Sequence, residues 1–376
     1  VLDAATPGAL GCYGAPGDPT PAIDRLAEEG IRWDNAFSVA TWTTPSVASL
    51  LTGLHPVRHG VVGQRYRLGE GAPTVAGRLR DDGWRTFAVL SNVNASPVMG
   101  MDRGFEGHIQ LPEQGQDIEG YLAPVEEFMR QAGDADVHLF VHILQPHAPY
   151  RPPGDFLRRF VPAGYTGDFD GTAPALLLVN DGQLTCDEAD LAHVRALYQA
   201  NVAYADAVVS DLRLLLEAEG RKDALWVVTS DHGEAFGEHR RVLHGGDPYD
   251  EEIRIPMVIR GVGQGVSKGL VSILDVAPTI LGAVGLPSRD LDGRDLGRSM
   301  ASPGGGGRPL VWGIQTVQGA TAGMRSGVPF GDRIRGYWVR TQTAKVFFFR
   351  DRPPMVFDLE ADPGEMTDKG GPESVR

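Results

Sequence analysis

Strand-like and helix-like segments alternate along residues 1–284 of the chain. Hydrophobic periodicity, with Pro and Gly at the segment ends, predicts helices over 21–29, 73–82, 186–220 and 273–284, and strands over 86–90, 137–144 and 253–259. A strand that is followed by a helix and another strand requires a crossover connection, which joins parallel strands in layered folds. The predicted fold class is therefore α/β, with a large central, mostly parallel sheet flanked by helices.

The pattern changes after about residue 308. Short β-like runs follow one another at 310–314, 335–341, 345–349 and 355–359, which predicts a small C-terminal antiparallel β subdomain. We therefore divide the chain into a catalytic α/β domain, 1–304, and a small C-terminal α+β subdomain, 305–376. Residues 150–183 are rich in Pro, Gly and Asp and are predicted to form a long surface excursion over the site.

Acidic residues end two of the predicted strands. The apolar run 224–229 breaks into Ser230-Asp231-His232-Gly233, and Val1-Leu2 leads into Asp3. In open α/β sheets, ligands gather at the carboxyl ends of the strands, so Asp3, Asp231 and His232 are expected to converge there. Carboxylate and imidazole groups bind divalent cations. Any one of these residues alone fits a capped loop or a surface charge equally well.

A hydroxyl group is predicted at the start of a helix in the segment Trp42-Thr43-Thr44-Pro45. Pro45 fits a first helical turn and Gly53 fits a helix end. Residues just before such a helix face unpaired N–H groups and the positive end of the helix dipole, which favour a bound anion and an alkoxide. Thr43 is therefore the candidate nucleophile for attack on an anionic ester. The alternative is that Thr43 or Thr44 only caps the helix.

Through most of its length the chain resembles the sulfatase family of the alkaline phosphatase superfamily. Besides Asp3 with its strand, the similar segments are Leu10-Gly11-Cys12-Tyr13-Gly14, Thr20-Pro21-Ala22-Ile23-Asp24, Pro45-Ser46, Pro146-His147-Ala148-Pro149-Tyr150, Ser230-Asp231-His232-Gly233-Glu234, Gly237-Glu238-His239, Arg254-Ile255-Pro256, and Phe357-Asp358-Leu359 with Asp362-Pro363-Gly364-Glu365. Their ordered occurrence indicates the fold more strongly than the substrate.

The resemblance implies a role for each candidate site residue. Thr43 would occupy the nucleophile position, and its oxygen would bind one divalent cation together with Asp3, Asp231 and His232. His147 and His244 would stand at the leaving-group side as catalytic residues. Their alternatives are a rigid turn for His147 and a flexible loop for His244. His142, which alternates with apolar neighbours, is interpreted as a core residue, and Glu234, Glu238 and His239 as groups outside the reacting centre.

Four departures from the family pattern accompany this resemblance. Thr43 cannot be oxidised to the formylglycine of sulfatases because its Cβ carries a methyl group, so no formylglycine is expected. Val47 replaces an Arg, Ala4 replaces a second metal-binding Asp, and residues 91–94 lack the Gly-Lys-x-x-His segment of many sulfatases. Gln145 stands where relatives with two metals have an Asp. We therefore expect one divalent metal ion (Mn, Zn, Mg or Ca) and give phosphorus esters more weight.

The predicted function is that of a metal-dependent hydrolase of sulfatase type that cleaves sulfate, phosphate or phosphonate esters through Thr43. The alternatives are a phosphoryl-group transferase of the same superfamily and a catalytically silent sulfatase-like binding protein. The net charge of −14 argues against nonspecific nucleic-acid binding. The expected partner is a small anionic ester, which the metal and the helix ends must attract locally because the overall charge repels it.

The sequence leaves the compartment and the oligomeric state undecided. Only Cys12 and Cys186 occur, which excludes a disulfide framework, and no apolar run has the roughly 18 residues that a membrane span needs. Because Val1-Leu2 is short for a central strand, we expect further residues at the N-terminus, which leaves open both a cytoplasmic and an exported protein.

Overall fold

The computed structural model describes residues 1–113, 117–300, 307–316 and 334–370. The predicted domain boundary at 304/305 lies outside these residues. Within them the strands are β1 (Leu2–Asp3), β2 (Ile31–Phe37), β3 (Arg85–Leu90), β4 (Gly107–Gln110), β5 (Val137–Val141), β6 (Ile143–Pro146), β7 (Trp226–Thr229), β8 (Ala235–Phe236), β9 (Val242–Leu243), β10 (Arg254–Ile255), β11 (Met257–Arg260), β12 (Gly265–Ser272), β13 (Val311–Gln315), β14 (Gly336–Arg340), β15 (Ala344–Phe349) and β16 (Met355–Asp358).

The helices cover both faces of the sheet and the excursion between the strands. In chain order they are α1 (Pro21–Glu29), α2 (Thr43–Thr52), α3 (Pro56–His59), α4 (Val75–Asp81), α5 (Ile118–Ala132), α6 (Gly154–Phe160), α7 (Ala173–Asn180), α8 (Glu188–Ala218), α9 (Asp250–Ile253), α10 (Val276–Ala283) and α11 (Leu296–Met300). None of the helices in the described ranges combines the length and the apolar composition that crossing a bilayer requires.

The central sheet has two halves that β1 and β6 join. In one half β3 pairs in parallel with β4 and β5; in the other, β2 pairs in parallel with β12 and antiparallel with β10 and β11, and β11 pairs antiparallel with β7. Strand β1 lies parallel to β6, and a parallel bridge from Leu2 to Ser230 links it to the end of β7. The α/β prediction is confirmed, and the carboxyl ends of β1 and β7 lie side by side.

Two predicted strands are each divided by one residue. The segment 253–259 is interrupted at Pro256, which has no N–H to donate to a ladder, and Ile253 ends the short helix α9. The segment 137–144 is interrupted at His142, where the chain changes partners. The His142 N–H donates to the carbonyl of Val89, on β3, whereas the next N–H donates to the carbonyl of Val1.

The longest helix, α8, forms the floor of one half of the core. Its first turn is closed by a capping box between Asp187 and Asp190, and its buried face packs on the sheet. The prediction over 186–220 therefore corresponds to one continuous helix. Asp206 of α8 accepts hydrogen bonds from the N–H groups of Ala22 and Ile23, at 3.1 and 2.8 Å, which satisfies two free donors at the start of α1.

Strands β13 to β16 form an antiparallel sheet packed against the main body, as the sequence predicts. Its buried aromatic residues Trp338, Phe347 and Phe357 cluster with Phe37 of β2. The excursion 150–183 contains α6 and α7, and Phe156 packs edge-on against Tyr204 of α8 with ring centroids 5.5 Å apart.

Candidate active site

The end of β1 and the end of β7 are tied together by one hydroxyl group. Ser230 Oγ lies 2.7 Å from the carbonyl oxygen of Leu2 and accepts a hydrogen bond of 2.8 Å from the N–H of Ala5. Ala4 N–H donates to Asp231 Oδ1 across the same gap, at 3.2 Å. These contacts place Asp3 next to Asp231 although the two lie far apart in the sequence.

Asp3, Asp231 and His232 form one buried cluster, with one potential ligand atom of each within 4.8 Å of the others. His232 Nε2 lies 3.5 Å from Asp3 Oδ1 and 3.6 Å from Asp231 Oδ2. All three side chains are fully buried. Asp3 Oδ1 and Asp231 Oδ2 have no hydrogen-bond partner among the described residues. The residues that the strand ends predicted to converge therefore do so.

The charges of this cluster fit a divalent cation. Burial and the neighbouring Asp231 carboxylate raise the pKa of Asp3 well above its usual range, and burial lowers the pKa of His232 to about 4. Burial alone would also raise the pKa of Asp231. The imidazoles of His232 and His142 outweigh this effect, so the pKa of Asp231 is lowered. Two buried carboxylates with free oxygens and a neutral imidazole are the donor set that a divalent metal binds.

Thr43 is the first residue of α2, whereas we expected it just before the helix. Trp42 occupies the N-cap position, and its side chain makes no capping hydrogen bond. Thr44 Oγ1 donates to the carbonyl oxygen of Asn94 at 2.9 Å, so neither threonine serves as the cap. Thr43 Oγ1 lies 3.4 Å from His232 Nε2 and is fully buried. The candidate nucleophile is thus in contact with the acidic cluster.

His244 and His147 lie on one side of the cluster. The His244 ring is 4.2 Å from that of His232 and 4.9 Å from that of His147, measured between centroids. His244 Nδ1 lies 2.7 Å from Glu234 Oε1, and Tyr150 donates to the other oxygen of Glu234 at 2.9 Å. His147 Nδ1 contacts the adjacent carbonyl of Ala148.

Burial shifts the pKa values of Glu234 and His244, which lie on this side of the cluster. It raises the pKa of Glu234 to about 7, and together with the nearby His147 it lowers the pKa of His244 to about 3. The Gly245 N–H donates to the carbonyl oxygen of Thr41 at 3.0 Å, which holds the loop beside the start of α2. His244 therefore lies in a buried, hydrogen-bonded loop.

Two residues of the site escaped the sequence analysis. Asn92 Nδ2 donates to Asp3 Oδ2 at 2.5 Å, although the sequence analysis assigned no role in the site to residues 91–94. His142 is fully buried, as expected of a core residue, but its Nε2 lies 3.7 Å from Asp3 Oδ2 and 4.0 Å from Asp231 Oδ2. Asn92 offered a signal by its position, because it follows closely on the carboxyl end of the predicted strand 86–90, whereas His142 lies inside the predicted strand 137–144 and offered none.

Three of the residues that depart from the family pattern, Val47, Ala4 and Gln145, have defined contacts in the structure. Val47 is buried in the apolar cluster beneath α2, where a guanidinium would have no aqueous contact. Ala4 is buried and its backbone has a positive φ of 61°, which directs its N–H to Asp231. Gln145 Oε1 accepts a hydrogen bond of 3.3 Å from the Tyr121 hydroxyl.

Comparison with known proteins agrees with this architecture. The multifunctional alkaline phosphatase superfamily protein PehA of Trinickia caryophylli is 25% identical to the chain, with 94% of the chain and 85% of PehA covered. The uncharacterized sulfatase YidJ of Escherichia coli is 24% identical over 72% of the chain, which spans 64% of the length of YidJ. The phosphonate monoester hydrolase of Agrobacterium radiobacter superimposes with a TM-score of 0.77 at 21% identity, covering 98% of the chain and 90% of that structure.

The profile of the sulfatase family matches residues 1–286. This match takes in β1, α2, β7 and the loop of His244, and so contains every candidate site residue. The chain therefore belongs to the sulfatase family, within the alkaline phosphatase superfamily, a family of sulfuric and phosphoric ester hydrolases.

Proposed function

We propose that the chain hydrolyses small anionic esters of sulfate, phosphate or phosphonate, with Thr43 as the nucleophile. The contact that carries the proposal is the 3.4 Å between Thr43 Oγ1 and His232 Nε2, inside a buried acidic cluster. A helix start adds the positive end of the dipole at the same point, which favours an anionic ester over a neutral one.

Asp3, Asp231 and His232, together with the hydroxyl oxygen of Thr43, would hold one divalent cation. When bound, such an ion lowers the pKa of a neighbouring hydroxyl group and balances the charge of the ester. The Ser230 hydroxyl and the Asn92 amide keep the ligands in place through the end of β1. The ion expected is one of Mn, Zn, Mg or Ca, and formylglycine chemistry is excluded for a threonine.

In the proposed reaction, Thr43 Oγ1 releases its proton to solvent and forms a bond to sulfur or phosphorus while the bond to the alcohol oxygen breaks. His244 Nε2 donates its proton to the departing oxygen, and the protonated Glu234 carboxyl group, whose pKa is raised to about 7, passes its proton to His244 Nδ1 at the same time. His147 is the second candidate for this donor. Water then cleaves the Thr43 ester and restores the hydroxyl group.

Phosphorus esters are the first class to test. The formylglycine hydrate is unavailable, so a covalent ester on Thr43 must be cleaved by direct attack at sulfur or phosphorus. PehA is named a multifunctional alkaline phosphatase superfamily protein and the Agrobacterium protein a phosphonate monoester hydrolase. We therefore expect a phosphodiester or phosphonate ester to be the best substrate, with an aryl sulfate as a slower one.

The decisive experiment measures turnover of purified, metal-loaded protein with an aryl sulfate, a phosphate monoester, a phosphodiester and a phosphonate ester. Thr43→Ala should reduce kcat on the best substrate by on the order of 10⁴-fold, the scale on which removal of a nucleophile acts. Thr52→Ala is the matched control, because Thr52 is a buried threonine at the other end of α2. This control should retain activity.

Rapid quenching followed by peptide mass measurement tests the covalent step. A mass increase on the peptide that contains Thr43, equal to the transferred group, is expected in the parent and not in Thr43→Ala. Undiminished turnover by Thr43→Ala would refute the nucleophile. Formation of the adduct with faster transfer to an added alcohol than to water would indicate the transferase alternative. Binding of the esters without turnover would indicate a binding protein.

A further inference from the structure

We propose that Glu252 is a positioning residue for the reaction, because it holds the loop that carries His244 against the loop that carries His232. This inference rests on the proposed function, which makes His244 the proton donor to the departing alcohol. It adds a residue that lies outside the segments on which the family resemblance is based, and that acts through the backbone of its neighbours and not on the ester itself.

Glu252 contacts both loops from the short helix α9. The residue is almost completely buried, with 1% of its surface exposed. Its backbone carbonyl accepts a hydrogen bond of 2.9 Å from the N–H of Gly233, which follows His232 directly. Its side chain reaches the second loop, where Oε2 accepts a hydrogen bond of 2.8 Å from the N–H of Gly246, two residues after His244. One residue therefore ties the two histidine loops to a common support.

The two glycines allow this close approach to α9. A Cβ at Gly233 would overlap the backbone oxygen of Glu251, and a Cβ at Gly246 would lie 2.7 Å from Glu252 Oε1. Glycine is the residue that lets a backbone come this near to another group, because it has no Cβ. A larger side chain at either position would push its loop away from the helix.

The position of the His244 ring depends on a small number of anchors in its loop. The N–H of Gly245 donates to the carbonyl oxygen of Thr41 at 3.0 Å, and the carbonyl oxygen of Gly246 accepts a longer hydrogen bond of 3.4 Å from Gln315 Nε2. Loss of the Glu252 acceptor would leave the Gly246 N–H without this anchor. A shift of about 1 Å in a reacting group can reduce a rate by about 100-fold, so a small movement of the loop is sufficient.

Two substitutions separate the hydrogen bond of Glu252 from its bulk. Burial raises the pKa of Glu252 well above its usual range, and the charge of Arg241 offsets only part of this effect, which favours the uncharged carboxyl group. A glutamine amide has the same shape as that group and also offers an oxygen acceptor. Glu252→Gln should therefore keep the hydrogen bond from Gly246, whereas Glu252→Leu removes it at a similar volume.

The kinetic test uses two esters of phenylphosphonate that differ in their need for a proton donor. The nitrophenyl ester has a leaving group that departs without a proton, and the ethyl ester has one that requires it. Glu252→Leu should lower kcat on the ethyl ester by about 10–100-fold with little change in KM, and should change kcat on the nitrophenyl ester much less. Glu252→Gln should behave like the parent on both. Gly246→Ala should reproduce the loss seen with Glu252→Leu, because its Cβ would displace the same loop.

Asp206→Leu is the matched control, because Asp206 is also a buried carboxyl group that accepts backbone hydrogen bonds, from Ala22 and Ile23 at the start of α1. It should lower the unfolding temperature and leave the ratio of the two kcat values as in the parent. Equal losses on the two esters in Glu252→Leu would indicate a general structural effect and would overturn the inference. A loss of the same size in Glu252→Gln would overturn it as well.

NMR spectra of the histidine rings test the inference without turnover. The ring signals of His232 and His244, assigned with the variants His232→Gln and His244→Gln, should shift in Glu252→Leu and keep their parent positions in Glu252→Gln and Asp206→Leu. Unshifted signals in Glu252→Leu would overturn the role of Glu252, while turnover by the parent would still support the proposed function. Shifted signals in a protein that hydrolyses neither ester would support Glu252 as the anchor of both loops and count against the proposed function.

Discussion

Replacement of Lys345 by methionine is expected to destabilise the fold more than any surface change. The ammonium group is fully buried in the C-terminal sheet, 2.8 Å from Asp250 Oδ1 and 2.7 Å from Glu365 Oε1. Methionine fills a similar volume but leaves two carboxylates without this cation. Breaking a buried ion pair by removing one partner costs about 3–5 kcal/mol. For a chain of 376 residues this corresponds to a decrease of about 4–6 °C in Tm.

The assay is thermal and urea unfolding at pH 7 of Lys345→Met beside Lys268→Met, which changes an exposed lysine and should alter the free energy of unfolding by less than about 0.5 kcal/mol. A double variant that also carries Glu365→Gln should recover part of the loss, because Glu365 then carries no buried charge while Asp250 keeps its ion pair with Arg340. Equal unfolding temperatures for the two single variants would refute the reasoning. So would a double variant less stable than Lys345→Met.

Three further outcomes follow from the geometry. Glu234→Gln should lower kcat by about 10–100-fold with little change in KM, because the carboxylate orients His244. Steady-state kinetics measures this effect, and a kcat equal to that of the parent would contradict it. Gly30→Ala should cost on the order of 1–3 kcal/mol in urea unfolding, since a Cβ there would lie 2.4 Å from a backbone oxygen, whereas Gly69→Ala has open space and should cost little. Burial raises the pKa of Asp250, but its two cationic neighbours outweigh this and lower it to about 2 from 3.8. Its stabilisation is therefore present above pH 4 and lost towards pH 2, a decrease that unfolding curves of Asp250→Asn should lack.

Much of the local structure is predictable because its causes are local. Helix α1 spans Pro21–Glu29 as expected, since Pro at the first position and Gly30 after the last act within a few residues. The apolar run before Ser230 likewise produces β7, and a carboxylate at its end is readable from the sequence. The same applies to the short β runs of the C-terminal sheet, whose alternation reports one buried face.

Two element boundaries differ from the prediction: Pro256 divides one expected strand because it has no N–H to donate, and α2 begins at Thr43 instead of after it. Other details depend on distant neighbours. The burial of Lys345 is likewise invisible to periodicity, because a lysine in an alternating strand is compatible with either face until its partners are known. Here those partners come from α9 and from the tail of the chain, through Asp250 and Glu365.

The sequence by itself determined the α/β class and the positions at which acidic and imidazole groups end strands. These follow from periodicity and residue chemistry, which act along the chain. Only the tertiary structure decided which atoms meet: Ser230 joins Leu2 across 228 residues, and His142 turns Nε2 towards the carboxylates because Ser91 holds its other nitrogen. The direction of a buried side chain depends on packing and hydrogen bonds between segments remote in sequence, and periodicity carries no record of those contacts.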